Sequence, residues 1–414
     1  MLQLINKFKI ILSILSIIIV ALVFGESIPT SFKIYCLTFS ENIRKILMFL
    51  LPFLIFPYMA SSVASIRTRG VWLVGGIMMM VLASNFTSIM IPFGVGQLGI
   101  PHLGITELHA MSAVEELQPL FSLNLEPILK MEMAMILALT TGLAIGVSGT
   151  TAFDGLLAKY QSFSRNFFER IFIPTLPLYV LGTVLKITHE YNFQEVLPVF
   201  GNMILLIIAT QLSYISFLYF IGSGGRIKRT ITSIRNALPS SLVGFSTMSS
   251  VVTMPFTMKS AEQNIPDPKI ARIAVSTTVN CHDVGECISL PMIALTIYFI
   301  HFGALPDLMT YVPFAFLVAV AQFSGVAVPG GSIVLILPFL SEYLNFSPEM
   351  SSMIIALSIF MDPLGTANNV LGNGAFAMII YRATRMGSWV KRKITGAPVM
   401  EVAVASASEN KFNS

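Results

Sequence analysis

Charge is scarce in this chain. Lysine, arginine, aspartate and glutamate make up 11% of its 414 residues, against roughly 25% in ordinary soluble domains. A water-facing globular surface cannot be built from so little. The net charge of +4 is also small, and the basic residues sit in short loops, which excludes a nucleic-acid surface. Cysteine is scarce too. Cys36, Cys281 and Cys287 are too few for a disulfide framework. No His-Glu-x-x-His pattern occurs, so the usual helical zinc site is missing. The N-terminal apolar run shows no small-x-small cleavage site near residues 25–27. That run is long for a signal core and is read as a first membrane-crossing helix.

Hydrophobic sequence is what the chain has in abundance: 55% of all residues, with a mean hydropathy of +0.79. About 20 apolar residues cross a bilayer's hydrocarbon core. Apolar spans fall near 8–24, 43–66, 71–97, 128–149, 167–188 and 196–222. Two later segments, 236–258 and 311–341, are apolar but interrupted. The first is broken by Ser246-Thr247-Met248-Ser249-Ser250 and Pro255. The second is broken by Ser324-Gly325 and Val328-Pro329-Gly330-Gly331-Ser332. Each is followed by a long segment with buried polar residues, 268–302 and 350–384.

Loop charges set orientation, because cytoplasmic loops carry the excess of lysine and arginine. Lys7 and Lys9, Arg67 and Arg69, Lys159 and Arg165, Arg226 to Arg235, and Arg382 to Lys393 mark one side. The intervening loops are acidic or nearly neutral, so both termini are expected in the cytoplasm. Each interrupted segment begins and ends on one side, which makes it a re-entrant hairpin. Two hairpins entering from opposite faces form an inverted repeat, and such repeats place a site near the midplane.

Asp362 is the most informative residue. It lies in an apolar segment, ahead of Gly365-Thr366-Ala367-Asn368-Asn369 and Gly372-Asn373-Gly374. A carboxylate at that depth is costly and is read as functional. The polar stretch after it implies helix that is partly unwound or lines a polar cavity. His282 and Glu286 are four residues apart, a spacing that puts them on one helix face beside Asp283. This cluster is expected to carry a proton, since histidine titrates near neutrality.

The order of these elements, with Thr253-Met254-Pro255, Val328-Pro329-Gly330-Gly331 and Asp362 through Gly374, resembles the dicarboxylate/amino acid:cation symporter family, the glutamate transporter homologues. The resemblance covers essentially the whole chain. It implies an all-α integral membrane fold of eight transmembrane helices plus two re-entrant helical hairpins, in inverted repeats. It implies an elevator-type symporter, not an enzyme, assembled as a homotrimer among lipids, in the cell's inner (plasma) membrane. Scaffold helices fall in 1–66 and 98–190. Transport-domain helices fall in 67–97 and 191–230, the transport core in 231–385, and a cytoplasmic tail in 386–414. The substrate is expected to be a small amino acid or a dicarboxylate, driven by Na+ or H+, with no cofactor.

By position, the resemblance assigns substrate binding to Ser249, Ser250, Val328, Gly330, Asp362, Gly365, Thr366 and Asn369. It assigns cation or proton coupling to Ser84, Thr278, Asn280, His282, Asp283, Glu286, Asn369 and Asn373. Several positions depart from the family pattern. Gly365 stands where an arginine often grips a substrate carboxylate. His282 and Asn373 stand where sodium-binding aspartates are usual. Ala83 and Met80 replace a usual threonine and tyrosine. A buried sodium ion wants a carboxylate among its oxygen ligands. Three other classes stay open: an intramembrane metal enzyme using Cys281, His282, Asp283, Glu286 and Cys287, a channel, and a transport-inactive sensor.

Overall fold

A computed structural model describes residues 16–17, 20–21, 24–64, 71–104, 117–125, 128–190, 193–324 and 331–395. Among the described residues the fold is all helical. In chain order the helices are α1 (Thr30–Ala64), α2 (Val71–Gly99), α3 (Met131–Ser148), α4 (Asp154–Phe167), α5 (Ile173–Glu190) and α6 (Phe193–Gly222). They continue as α7 (Ile227–Thr247), α8 (Ser250–Asn264), α9 (Pro268–Thr278), α10 (Val284–Phe302), α11 (Leu308–Ala321), α12 (Gly331–Tyr343) and α13 (Pro348–Thr395).

Four stretches are long and apolar enough to cross a membrane: Gly75–His102, Val199–Gly222, Val284–Phe302 and Pro348–Arg385. Two bent pairs, Thr30–Leu47 with Phe49–Ser61 and Asp154–Phe172 with Pro177–Lys186, bring the number to six among the described residues. The expected span 8–24 lies almost wholly outside them, and Met133–Ser148 is shorter than the others. Pro52 and Pro57 lie in the second half of the α1 bend. Proline removes a helix hydrogen bond and crowds the preceding turn.

The expected span 43–66 starts too late: α1 begins at Thr30. Residues 30–42 read as polar because they carry Lys33, Thr38, Ser40, Glu41 and Asn42, yet all five are buried. Buried polar groups need partners, and several are visible. Ser40 donates to the Tyr179 carbonyl at 2.6 Å. Thr38 Oγ1 and Asn42 Oδ1 accept the backbone N–H groups of Leu120 and Leu123 at 2.9 and 2.8 Å. Hydropathy alone cannot see such internal pairing.

The helices sort into two packing groups. Helix α1 packs on α3, α4 and α5. Helices α10 and α13 form the centre of the other group, against α2, α6, α7 and each other. Val284, Met292, Ile293, Leu295, Val334 and Ile336 there are fully buried. Polar bridges join the groups. Tyr179 Oη donates to Ser352 Oγ at 2.9 Å, Lys186 pairs with Glu349 at 3.0 Å, and Lys130 pairs with Glu342 at 2.9 Å.

The interrupted segments become helix pairs. Met248 has φ 47°, in the left-handed region, and ends α7. Ser249 then opens α8 as its N-cap, accepting the N–H of Val252. Asp307 caps α11 in the same way. The Thr310 N–H and hydroxyl, both 2.9 Å away, hold its carboxyl below the usual carboxylate range. The stretch 362–374 is not unwound. Helix α13 runs continuously through it, Pro363 included, and on to Thr395.

Helices α1 and α5 touch at Gly182. A Cβ there would press on the Cys36 carbonyl and on Ser40 Oγ. Overpacking of this kind typically costs about 1–3 kcal/mol. Gly182→Ala is expected to lower the melting temperature of the purified protein. A melting temperature equal to wild type would show that the two helices part freely.

Candidate functional site

The segment between α9 and α10 carries the main surprise. Helix α9 ends at Thr278 and α10 begins at Val284. Residues 279–283 form a break, so His282 and Glu286 do not share a helix face as their spacing suggested. The break divides the expected cluster in two.

His282 turns inward and is fully buried. Its Nε2 lies 2.9 Å from Ser84 Oγ, and its ring stacks on Phe376 with centroids 4.1 Å apart. The Asn373 side chain lies close to the ring. His282 Nδ1 and both polar atoms of Asn373 have no hydrogen-bond partner. Helix α2 pins the break, because Asn85 also donates to the Cys281 carbonyl at 2.7 Å. Thr278 bonds back to the Ala274 carbonyl at 2.9 Å, inside its own helix.

Asp283 and Glu286 turn the other way, into a cleft partly open to solvent, about 490 Å3 with the adjoining open space included. Its walls are Met248, Ser249, Ser250 and Val251 from the α7–α8 tip, Val279 and Asn280 from the break, and Gln322 after α11. Ser332 and Leu335 come from α12, and Asp362, Thr366 and Asn369 from α13. Asn280 is exposed there. Ser332 donates its hydroxyl to Glu286 Oε2, and Thr366 Oγ1 lies 3.5 Å from Asp362 Oδ1.

Asn369 is the keystone. Its Oδ1 accepts the N–H groups of Gly285 at 2.7 Å and of Glu286 at 3.3 Å. These are donors that the first turn of a helix leaves unsatisfied. A residue of α13 therefore caps α10, while Asp283, the N-cap residue of α10, makes no side-chain capping bond. Gln211 supports the same point. It donates to the Gly285 carbonyl at 2.7 Å and accepts from Asn368 at 2.7 Å.

Glycine makes this approach possible. A Cβ on Gly285 would collide with the Gly365 carbonyl and sit 2.9 Å from Asn368 Cβ. A Cβ on Gly365 would sit 3.2 Å from Glu286 Cγ. Gly365 thus leaves room that the Glu286 stem borders.

The sequence-based assignments divide accordingly. Ser249, Ser250, Asn280, Asp283, Glu286, Asp362, Thr366 and Asn369 line the cleft. Gly365 adjoins it through Glu286. Ser84, His282 and Asn373 form the deeper cluster. Val328 and Gly330 lie outside the described residues. Asn85, Gln211, Gln322 and Ser332 were missed as site residues. For Gln211 a signal existed: an amide midway along the apolar span 196–222. Among the described residues, no three histidine, cysteine, aspartate or glutamate groups are arranged to hold a metal ion. The expected pentad 281–287 is split by the same break.

Replacing Asn369 by alanine strands the α10 N–H groups. Each buried donor left unsatisfied costs about 1–3 kcal/mol. Asn369→Ala is expected to lower the melting temperature by several degrees, and Gly285→Ala to do the same by forcing the helices apart. Wild-type melting of both variants would refute the capping role.

Comparison with known proteins now has a geometry to meet. A search of curated proteins found no match. A family model described as the Sodium:dicarboxylate symporter family matches residues 10–383, which takes in every part of the cleft and of the deeper cluster. The chain belongs to the sodium:dicarboxylate symporter family, whose members are multi-pass membrane transporters.

Proposed function

We propose that the protein is a secondary active symporter that takes up a small amino acid, coupled to a cation, by an elevator movement. The observation that carries this reading is the cleft. Three interrupted or tip segments meet over one face of a continuous helix bearing Asp362, Thr366 and Asn369. Interrupted helices around a polar midplane site are how many transporters bind solutes. Asp362 holds the substrate amino group. The start of α8, with the N–H groups of Ser250 and Val251, faces the substrate carboxylate, since helix N-termini favour anions. An amino acid suits this site better than a dicarboxylate, because no lysine, arginine or histidine lines the cleft among the described residues.

In this reading α7–α8 and α11–α12 are re-entrant hairpins related by an inverted repeat. Eight membrane crossings result when the N-terminal run, the two bent pairs and α3 each cross once. The group around α1, α3, α4 and α5 is the scaffold of a homotrimer, and the group around α10 and α13 is the moving part. The bridges Tyr179–Ser352 and Lys186–Glu349 then break during movement. Both termini face the cytoplasm.

The coupling cation is assigned to the deeper cluster of Ser84, His282 and Asn373. That cluster contains no carboxylate, which disfavours sodium on desolvation grounds. It does contain an imidazole nitrogen without a partner. A proton on His282 meets the same desolvation cost but needs only this one acceptor, so it is the first reading, with sodium as the second.

Two outcomes are expected in proteoliposomes. Substrate entry alkalinises the external medium, whereas uptake that requires sodium and ignores pH would shift the assignment to sodium. Asp362→Asn is expected to weaken amino-acid binding about ten- to hundredfold, the range for a hydrogen bond to a charged group. Unchanged binding would remove Asp362 from the site.

A further inference from the structure

Two buried hydroxyls lie outside the cleft and outside the deeper cluster. Tyr219 sits in the last turn of α6, and Ser223 directly follows that helix. The Ser223 N–H still bonds the Tyr219 carbonyl at 2.8 Å, so the two side chains share a helical face. Tyr219 is fully buried and Ser223 is 1% exposed. Neither Tyr219 Oη nor Ser223 Oγ has a hydrogen-bond partner. Ordered water is the partner that such buried hydroxyls ordinarily take.

Both hydroxyls belong to one seam. A Cβ on Gly374 would sit 2.7 Å from Tyr219 Oη and 4.0 Å from Ala237 Cβ, so the hydroxyl lies over α13 and beside α7. Gly374 follows Asn373, whose side chain lies against the His282 ring. That ties one end of the seam to the deeper cluster. Toward the other end α7 adds Ser233 and Thr230, both buried, one and two turns before Ala237. Past Ser223 the exposed Arg382 guanidinium lies over Gly224, which has φ 78°. The line therefore runs from His282 to the basic end of the α6–α7 turn, the cytoplasmic end in the reading above.

This line suits a proton and not a hydrated ion. A hydroxyl accepts one hydrogen bond and donates another, so hydroxyls and water together can hand a proton along. Sodium would have to shed its water between these helices. A Cβ on Gly222 would sit only 2.9 Å from Met378 Cβ, which shows how closely α6 and α13 approach there.

Resting on the proton reading of His282 above, we propose that the seam of α6, α7 and α13 carries the coupling proton from the deeper cluster to the cytoplasm, with Tyr219 and Ser223 as relay hydroxyls. The proton leaves His282 Nδ1 for water. Each hydroxyl then gives up its own proton as it takes the next, so both return unchanged.

The full-length wild type and Tyr219→Phe would be reconstituted in proteoliposomes with L-serine, L-alanine, L-aspartate and succinate as probes. Two modes would be compared: net uptake under an inward proton gradient, and exchange into vesicles preloaded with the same compound. Net uptake releases a proton inside in every cycle, whereas exchange does not. Tyr219→Phe is expected to slow net uptake about tenfold, the rate equivalent of one lost hydrogen bond, and to leave exchange at the wild-type rate. Ser223→Ala carries the same readout if Tyr219→Phe does not fold. Equal slowing of both modes would make the hydroxyl a packing group and overturn the route. Wild-type rates in both modes, in whichever variant folds, would overturn the route and leave symport intact. Sodium-driven uptake indifferent to pH removes the proton reading, and no uptake of any probe by the wild type removes the symporter reading. Either outcome overturns the route as well.

Discussion

The site depends on one hydrogen-bonded contact: the Asn369 side chain of α13 against the first turn of α10. A helix start buried in apolar surroundings leaves N–H groups that must find partners. Here a neighbouring helix supplies the acceptor, so the two helices are fixed in register at that level. Gly285 allows the approach, since any larger residue would meet the Gly365 carbonyl and Asn368. Gln211 ties the Gly285 carbonyl to a third helix. Most of what surrounds the cleft follows from this junction.

The first consequence is the partition of polar groups. Because α10 starts only at Val284, the five residues before it form a short break anchored by Ser84 and Asn85. His282 falls on the inner side of that break and Asp283 on the outer. One side becomes a buried cluster of imidazole and amide. The other becomes a cleft of carboxylates facing a helix N-terminus. Symport as proposed needs two binding events that sense each other, and the proposed cation and substrate sites lie on opposite sides of one five-residue segment. A cation at His282 and a substrate in the cleft would pull on the same backbone.

Much of the architecture was legible in the chain. Hydropathy marked the long spans 71–97 and 196–222, now within Val71–Gly99 and Phe193–Gly222. The serine-rich run 246–250 marked the interruption that became the α7–α8 tip, while Pro255, expected to break the segment too, lies inside α8. Asp362 stood out because a carboxylate in apolar sequence is costly, and it does line the cleft. Two things were misread. The start of α1 was hidden because its polar residues find backbone partners inside the fold. The continuity of α13 was hidden because glycine and asparagine weaken helix propensity, while packing on α6, α7 and α10 outweighs that.

The sequence by itself determined the solvent and the class. With charge this scarce and apolar runs this long, the chain belongs in a bilayer, and a carboxylate inside such a run, Asp362, points to a site. It could not determine which of those residues face each other. His282, Asp283 and Glu286 are neighbours in sequence, and a helical ruler places the first and last on one face. Only the tertiary structure put a break there, and the physical reason is a pair of long-range contacts. Asn369, eighty-four residues from Gly285 along the chain, offers a better acceptor to the α10 amides than a continued helix would, and helix α2 holds the released segment open.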